Sequence, residues 1–305
     1  MRIAVVFPGQ GSQFVAMADT WLGHEAARDT LARASEIVGR DVAEGCREEQ
    51  ALGTTDFVQP AILACDVAGL RVLEAAGVSI VGAAGHSLGE FAAMVAAGVL
   101  TLEDAVRIVV QRGRAMQAAA TERPGTMTAL LGIGTDDAAA LCDETREGDV
   151  LLVANENSPQ QVVISGSVPA IERAEALAGA RRIRAVRLQV AGAFHSPLMD
   201  PAVEPLAAAL DAAPFSPPRF PLASNVIGEL VQDAEQLRAL ARRQVVSPVR
   251  WERCAGALAE MGADTFVEVG PGDVLTKLAK RVVPGARAVA LGSPEAVSTF
   301  AAEAG

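Results

Sequence analysis

Val78-Ser79-Ile80-Val81-Gly82-Ala83-Ala84-Gly85-His86-Ser87-Leu88-Gly89-Glu90-Phe91-Ala92-Ala93-Met94-Val95-Ala96-Ala97 is the stretch that decides the fold. The apolar run up to Ala84 reads as a buried strand, and the run from Phe91 is compatible with a helix. Between them lies Gly85-His86-Ser87-Leu88-Gly89, a Gly-x-Ser-x-Gly motif. Placed between a strand and a helix, that motif is a nucleophile elbow, a sharp strained turn that lifts the serine hydroxyl off the sheet edge. Glycine at 85 and 89 leaves no Cβ to collide with the neighbouring strand and helix. The Leu88 N–H then falls in the first helical turn, where it lacks an intrahelical acceptor and can donate to a developing oxyanion. The five residues alone occur in many loops; the strand before and the helix after select the catalytic reading.

The elbow sits in a chain of 305 residues, long enough for one large or two modest domains. Half the residues are hydrophobic and about a fifth are charged, the balance of an ordinary globular protein with a large core. Tyrosine is absent, so the core rests on Ala, Val, Leu and Ile. The formal net charge is −11 and the only lysines are Lys277 and Lys280, which argues against general nucleic-acid binding. Cys46, Cys65, Cys142 and Cys254 form no CxxC pair and no metal-ligand spacing with the three histidines, and read as buried free thiols of a reducing cytoplasm. The apolar stretch near Met1 is too short for a signal peptide, and no apolar run is long enough to span a bilayer, so a cytoplasmic location is expected.

Upstream of the elbow, Ile3–Phe7 reads as a buried strand and Pro8-Gly9-Gln10-Gly11-Ser12-Gln13 as a tight loop whose amides can face a ligand. A plain strand–helix connection fits that loop equally well. Helices are expected over 20–39, 57–76 and 102–120, the last opened by Thr101 as N-cap with Glu103 and Asp104 in its first turn. Arg112 lies four residues from both Ile108 and Met116, on the apolar stripe of that helix. It is either the partner of a structural ion pair, a snorkelling side chain, or an anion-binding group facing a pocket.

After Pro124-Gly125 the pattern changes. Strands over 126–133, 150–154, 161–165 and 184–190, with helices over 136–142 and 168–178, give β-α-β-β-α-β, a ferredoxin-like unit. The expected organisation is therefore a large α/β body, 1–124 with 191–305, carrying an inserted subdomain at 125–190. The chain returns through Gly192-Ala193-Phe194-His195-Ser196, followed by an expected helix over 199–213. Further α/β elements follow: strands at 221–226, 265–269 and 286–291, and helices over 233–244, after Ser247-Pro248-Val249-Arg250-Trp251, and up to Val282.

Five segments occur in one order: Phe7-Pro8-Gly9-Gln10-Gly11-Ser12-Gln13, Gly85-His86-Ser87-Leu88-Gly89-Glu90, Gln111-Arg112-Gly113, Gly192-Ala193-Phe194-His195-Ser196 and Glu268-Val269-Gly270-Pro271-Gly272. Together they resemble the malonyl-CoA:acyl-carrier-protein transacylase family, over nearly the whole chain. The resemblance implies an α/β-hydrolase-like body with a parallel-sheet core and a ferredoxin-like insert. It implies Ser87 as nucleophile, His195 as base, the N–H groups of Gln10 and Leu88 as oxyanion hole, and Arg112 as receptor for the malonyl carboxylate. The family orients its histidine by a backbone carbonyl; the matching segment points to the carbonyl of Arg250. His86 either supports the pocket or packs the elbow. Phe194 is similar to the phenylalanine of malonyl-selective members and would crowd a 2-methyl branch, whereas methylmalonyl-selective members carry a serine there. Gly192 stands where many modular polyketide acyltransferases have histidine, which points to the stand-alone branch.

By the same resemblance the substrates are malonyl-CoA and the phosphopantetheine thiol of an acyl carrier protein. No metal or other cofactor is implied, nor any nucleic-acid or membrane partner, and a monomer is expected. Docking an acidic carrier on an acidic enzyme needs a local basic patch, either Arg181, Arg182, Arg184 and Arg187 or Lys277, Lys280 and Arg281. A serine esterase or acyl-thioester hydrolase would use the same serine and histidine. Arg112 weighs against a lipase, and the lack of a clear acid partner weighs against an ordinary triad. A non-catalytic carrier-binding module is disfavoured by the intact Ser87, His195 and Arg112.

Overall fold

The computed structural model describes residues 1–304. The chain begins with β1 (Ile3–Phe7), α1 (Glu25–Val38), two single-turn helices α2 (Val42–Gly45) and α3 (Glu49–Leu52), α4 (Thr55–Ala75), β2 (Ile80–Gly85), α5 (Gly89–Ala96) and α6 (Leu102–Glu122). It continues through β3 (Thr126–Leu131), α7 (Thr135–Thr145), β4 (Leu151–Ser158), β5 (Gln161–Gly166), α8 (Val168–Ala180) and β6 (Arg184–Arg187). The last third holds α9 (Val203–Asp211), β7 (Leu222–Ser224), β8 (Glu229–Val231), α10 (Ala234–Arg243), α11 (Trp251–Glu260), β9 (Thr265–Val269), α12 (Val274–Val282), β10 (Arg287–Leu291) and α13 (Pro294–Ala304).

Two sheets result. The larger runs β10-β9-β1-β2-β7-β8, parallel except for the antiparallel edge strand β8. Strand β1 shows why its sequence is apolar throughout: Ile3, Val5 and Phe7 enter the core built with α1, α4 and α6, while Ala4 and Val6 enter the core under α11 and α12. A strand covered on both faces has no polar alternate positions. Phe7 pairs with Gly85, so the loops leaving β1 and β2 emerge side by side at the carboxyl edge of the sheet, where open α/β sheets bind their ligands.

The smaller sheet runs β4-β5-β3-β6, antiparallel throughout, with α7 and α8 on one face. This is the expected ferredoxin-like order. Leu130, Val162 and Ile164 pack on those helices, whereas Met127, Ala129 and Val163 join the core of the body.

The structure corrects several expected boundaries. The strand expected over 150–154 runs on: the sequence leaves Asn155-Glu156-Asn157-Ser158 between two strands, where asparagine and serine favour a turn. They belong to β4 instead, whose end is held by the body: Val249 N–H donates to the Ala154 carbonyl (2.8 Å) and Glu156 N–H to the Val249 carbonyl (2.9 Å). The expected helix at 199–213 splits into a 3-10 segment, Pro197–Ala202, and α9, with Pro201 at the junction. The first helix starts at Glu25, five residues late, and β6 stops at Arg187. Strand β8 and helix α13 were not foreseen.

Candidate active site

Ser87 sits at the end of β2 with φ of +51°, a left-handed conformation that a non-glycine residue adopts only when its surroundings enforce it. The enforcement is visible. His86 N–H donates to the Phe7 carbonyl at 2.9 Å, and Ser87 N–H donates to Asn225 Oδ1 at 2.7 Å. Asn225 Nδ2 in turn donates to the Gly85 carbonyl at 2.7 Å. A Cβ on Gly89 would lie 2.1 Å from the Phe7 carbonyl oxygen, and one on Gly85 would lie 1.8 Å from the Gly89 carbonyl carbon, so both glycines of the motif are sterically required.

The hydroxyl oxygen of Ser87 has two partners. His195 Nε2 lies 2.8 Å away and Arg112 Nη2 donates to the oxygen at 2.9 Å. His195 also has a positive φ, +59°, and is buried. Its Nδ1–H faces two backbone carbonyls, Gln244 at 3.1 Å and Ser247 at 3.0 Å. With the ring proton on Nδ1, Nε2 is left as an acceptor for the Ser87 hydroxyl proton. This corrects the expectation for Arg250, whose carbonyl accepts from Cys254 N–H at 3.0 Å in the first turn of α11 and is therefore committed elsewhere. The orienting carbonyls lie three and six residues earlier, before the helix begins.

Arg112 projects inward from α6 and is buried. Nη1 donates to Gln59 Oε1 at 2.7 Å, and Nη2 donates to Gln244 Oε1 at 3.0 Å as well as to Ser87. Its Nε has no partner among the described residues. Burial pushes the guanidinium down to about 10, opposed by the charge of Glu90, so it stays a cation at neutral pH. Burial, and after it the charge of Arg112, pushes His195 down to about 3. The imidazole is thus neutral across the ordinary pH range.

The N–H groups of Gln10 and Leu88 donate to no protein acceptor among the described residues. A Cβ on Gly9 would lie 2.3 Å from the His86 carbonyl oxygen, so the β1 loop approaches the elbow too closely to carry a side chain there. Gln10, Leu88, Ser87, His195, Arg112 and Phe194 line one cavity of about 70 Å³. Through Gln10, His86, Asn155 and Leu188 this cavity adjoins another of about 170 Å³, walled by amide side chains and by Val274, Leu275 and Leu278 of α12. His86 is half-buried and makes no hydrogen bond to the Ser87 hydroxyl: Nε2 donates to Asn157 Oδ1 at 2.9 Å and the ring packs on Trp251, with centroids 5.9 Å apart. Burial lowers its pKa, so it is neutral.

Four residues that hold this arrangement escaped sequence reading: Gln59, Glu90, Asn225 and Gln244. Each is buried and polar. Gln59, flanked by Val58 and Pro60 in an apolar run, and Gln244, at the end of an amphipathic helix, carried a usable signal, since a polar side chain on a buried face needs a partner.

A strained serine served by a histidine that leans on carbonyls, beside a buried cation, separates this site from the carboxylate triads of ordinary lipases. The chain belongs to the acyl transferase family: the family model, described as the acyl transferase domain, matches residues 4–297. Among its relatives, the malonyl CoA-acyl carrier protein transacylase of Salmonella typhimurium is 42% identical over 306 residues, covering 97% of this chain and 98% of the relative. That of Bacillus subtilis is 38% identical over 305 residues, covering 97% and 95%. The crystal structure of malonyl-CoA:acyl carrier protein transacylase from Xanthomonas oryzae pv. oryzae superposes with a TM-score of 0.95 at 38% identity, over 99% of each chain. A malonyl-transacylase solved in complex with a type II polyketide synthase acyl-carrier protein gives 0.95 at 37% identity, over 99% of this chain and 100% of that one.

Proposed function

We propose that this chain moves a malonyl group from CoA to the phosphopantetheine thiol of an acyl carrier protein, by two half-reactions through an ester on Ser87. One observation carries the reading: the Ser87 hydroxyl lies between a neutral imidazole at 2.8 Å and a buried guanidinium at 2.9 Å whose Nε has no partner among the described residues. A nucleophile beside a carboxylate receptor suits an acyl group ending in a carboxylate. The names of the relatives support the same substrates.

In the first half-reaction His195 Nε2 takes the Ser87 proton as Oγ attacks the thioester carbonyl. The N–H groups of Gln10 and Leu88 receive the negative charge on the carbonyl oxygen. The C–S bond breaks and the CoA sulfur leaves with the proton held by His195. In the second, the carrier thiol gives its proton to His195, attacks the ester, and Ser87 Oγ recovers the proton. Thioester, ester and thioester interconvert with no net redox change. The carbonyls of Gln244 and Ser247 keep the imidazole turned toward Ser87 and accept the Nδ1–H dipole as its charge grows.

In this reading residues 1–124 with 191–305 supply the catalytic groups, and residues 125–190 cover the site against water. The cavity of about 170 Å³, with Asn155, Asn157 and Gln161 among its walls, takes the amide-bearing pantetheine arm.

The test is intact-mass spectrometry with malonyl-CoA and then a carrier protein. A malonyl adduct is expected on the protein, absent from Ser87→Ala, stable in buffer and discharged onto the carrier thiol. An adduct that persists on Ser87→Ala removes the nucleophile; one that drains to free malonate without a carrier makes the chain a hydrolase.

A further inference from the structure

We propose that Glu90 is the acidic positioning residue of this site, acting through Gln244, whose side-chain amide holds Arg112 and whose backbone carbonyl holds His195; the proposal rests on the acyl-transfer reading above. Glu90 directly follows the elbow motif and is buried beneath it in the first turn of α5. One carboxylate oxygen accepts from Gln244 Nε2, and the other accepts from Asn225 N–H at 3.3 Å. These two amide residues hold everything that reacts. Asn225 takes the Ser87 N–H and gives to the Gly85 carbonyl. Gln244 gives to the Ser87 carbonyl at 3.0 Å, takes Arg112 Nη2 on its side-chain oxygen, and takes His195 Nδ1–H on its backbone oxygen.

The amide of Gln244 has two orientations, and Glu90 decides between them. With a carboxylate at Glu90 and a carbonyl at Ser87, both acceptors, the NH₂ must face that side, leaving Oε1 for Arg112. Turned over, the amide would set its NH₂ against the guanidinium and its oxygen against two acceptors. Glu90 therefore fixes Arg112 in the geometry that reaches Ser87.

Its charge matters as well as its shape. Burial pushes the Glu90 carboxyl up, while the Gln244 and Asn225 donors and the Arg112 charge hold it down. Ionised, it is the nearby countercharge of Arg112. Once an acyl carboxylate joins Arg112, the pocket holds two negative charges and one positive, the sign that favours an imidazolium at His195. The acid absent from direct contact with the histidine is thus bonded to the side chain of the glutamine whose backbone carbonyl takes the Nδ1–H.

The experiment is a double-mutant cycle of Glu90→Gln and Arg112→Ala, read as kcat and KM for malonyl and acetyl transfer, with thermal unfolding of each variant. Glu90→Gln should lower malonyl kcat about 10- to 100-fold, with KM for malonyl-CoA changed less than about threefold. In the Arg112→Ala background the same substitution should cost residual malonyl transfer, and acetyl transfer beside it, less than about threefold. Equal losses in the two backgrounds would overturn the proposal, because a purely structural residue acts alike in both. If Glu90→Gln does not fold, Gln244→Ala, which keeps the backbone carbonyl on His195, must show the same loss of malonyl kcat; full activity in that variant also overturns it. Absence of any malonyl transfer by the unaltered protein would instead sink the transferase reading, and Ser87 labelling by a neutral sulfonyl fluoride would then still report whether Glu90→Gln disturbs the nucleophile.

Discussion

The body and the small sheet solve opposite problems with the same residue types. Under the elbow, Gln59, Glu90, Arg112, His195, Asn225 and Gln244 are buried, and each is bonded to another of the set or to Ser87. The helices of the small sheet pack on it through an apolar cluster, and Arg173, Arg181 and Arg187 lie outside in ion pairs with Asp149, Glu144 and Glu175. A charge removed from water must be satisfied by its neighbours, whereas an exposed pair is worth ~0–1 kcal/mol. The difference predicts that substitutions lose consequence as they move from the elbow to the outer face of the small sheet.

Arg112→Ala should give the largest loss in this series. A charge-assisted contact contributes about 1.5–3 kcal/mol, so kcat/KM for malonyl transfer should fall on the order of 10- to 100-fold while acetyl transfer is kept or rises. Equal losses for both acyl groups would mean that the guanidinium is structural. The same variant tests the electrostatics. His195, held down to about 3 by burial and then by Arg112, should stay neutral across the ordinary pH range. Ser87 labelling by a neutral sulfonyl fluoride should therefore be flat from pH 8 to about pH 5 in the unaltered protein. Removing the neighbouring cation eases protonation, so the acid limb of Arg112→Ala should move to higher pH; a limb near pH 6.5 in both proteins would contradict the assignment.

Phe194→Ser comes next. Phe194 is buried against the 70 Å³ cavity. One methyl in such a pocket is worth ~1–3 kcal/mol, so the ratio of malonyl to methylmalonyl specificity constants should drop about 5- to 100-fold. An unchanged ratio would take the ring out of the account of selectivity.

How much of this was legible beforehand depended on whether the cause was local. The elbow could be read because its glycines, strand and helix are adjacent in sequence, and the β-α-β-β-α-β order because each strand carries its own period. Arg112 could be singled out because a charge on an apolar stripe conflicts with its surroundings. The carbonyls on His195 could not be assigned, since every residue has one and only the path of the chain between α10 and α11 decides which turns inward. Asn155 and Asn157 were misplaced for a related reason: their side chains favour turns, but the partner that keeps them extended is Val249, nearly a hundred residues on.

Asn157 is where the two regions touch, through His86. Asn157→Leu removes the acceptor of a partly buried donor, which costs ~0.5–1.5 kcal/mol of stability and leaves the imidazole free to tilt on Trp251. Transfer should fall less than about tenfold, with KM for the acyl donor rising more than kcat falls, because Asn157 also lines the 170 Å³ cavity. A loss of kcat as large as that of Arg112→Ala would erase the distinction between body and small sheet.

The smallest effects should fall on the basic patches, and there the comparison separates two docking surfaces. Arg181 and Arg187 on the small sheet are engaged by Glu144 and Glu175. Lys277, Lys280 and Arg281 lie on α12, the helix whose Val274, Leu275 and Leu278 wall the cavity leading to Ser87. A pantetheine arm threaded through that cavity would bring its acidic carrier against α12, where Lys280 forms no ion pair among the described residues. Rim charges govern association more than chemistry. Lys280→Glu should therefore raise KM for the carrier several-fold at low salt and leave the rate of Ser87 malonylation by malonyl-CoA unchanged. Arg187→Ala should alter stability by less than about 1 kcal/mol and carrier KM by less than twofold. The reverse ranking of the two variants would move the docking surface onto the small sheet, and would give that region a direct part in carrier choice beyond its walls and amides.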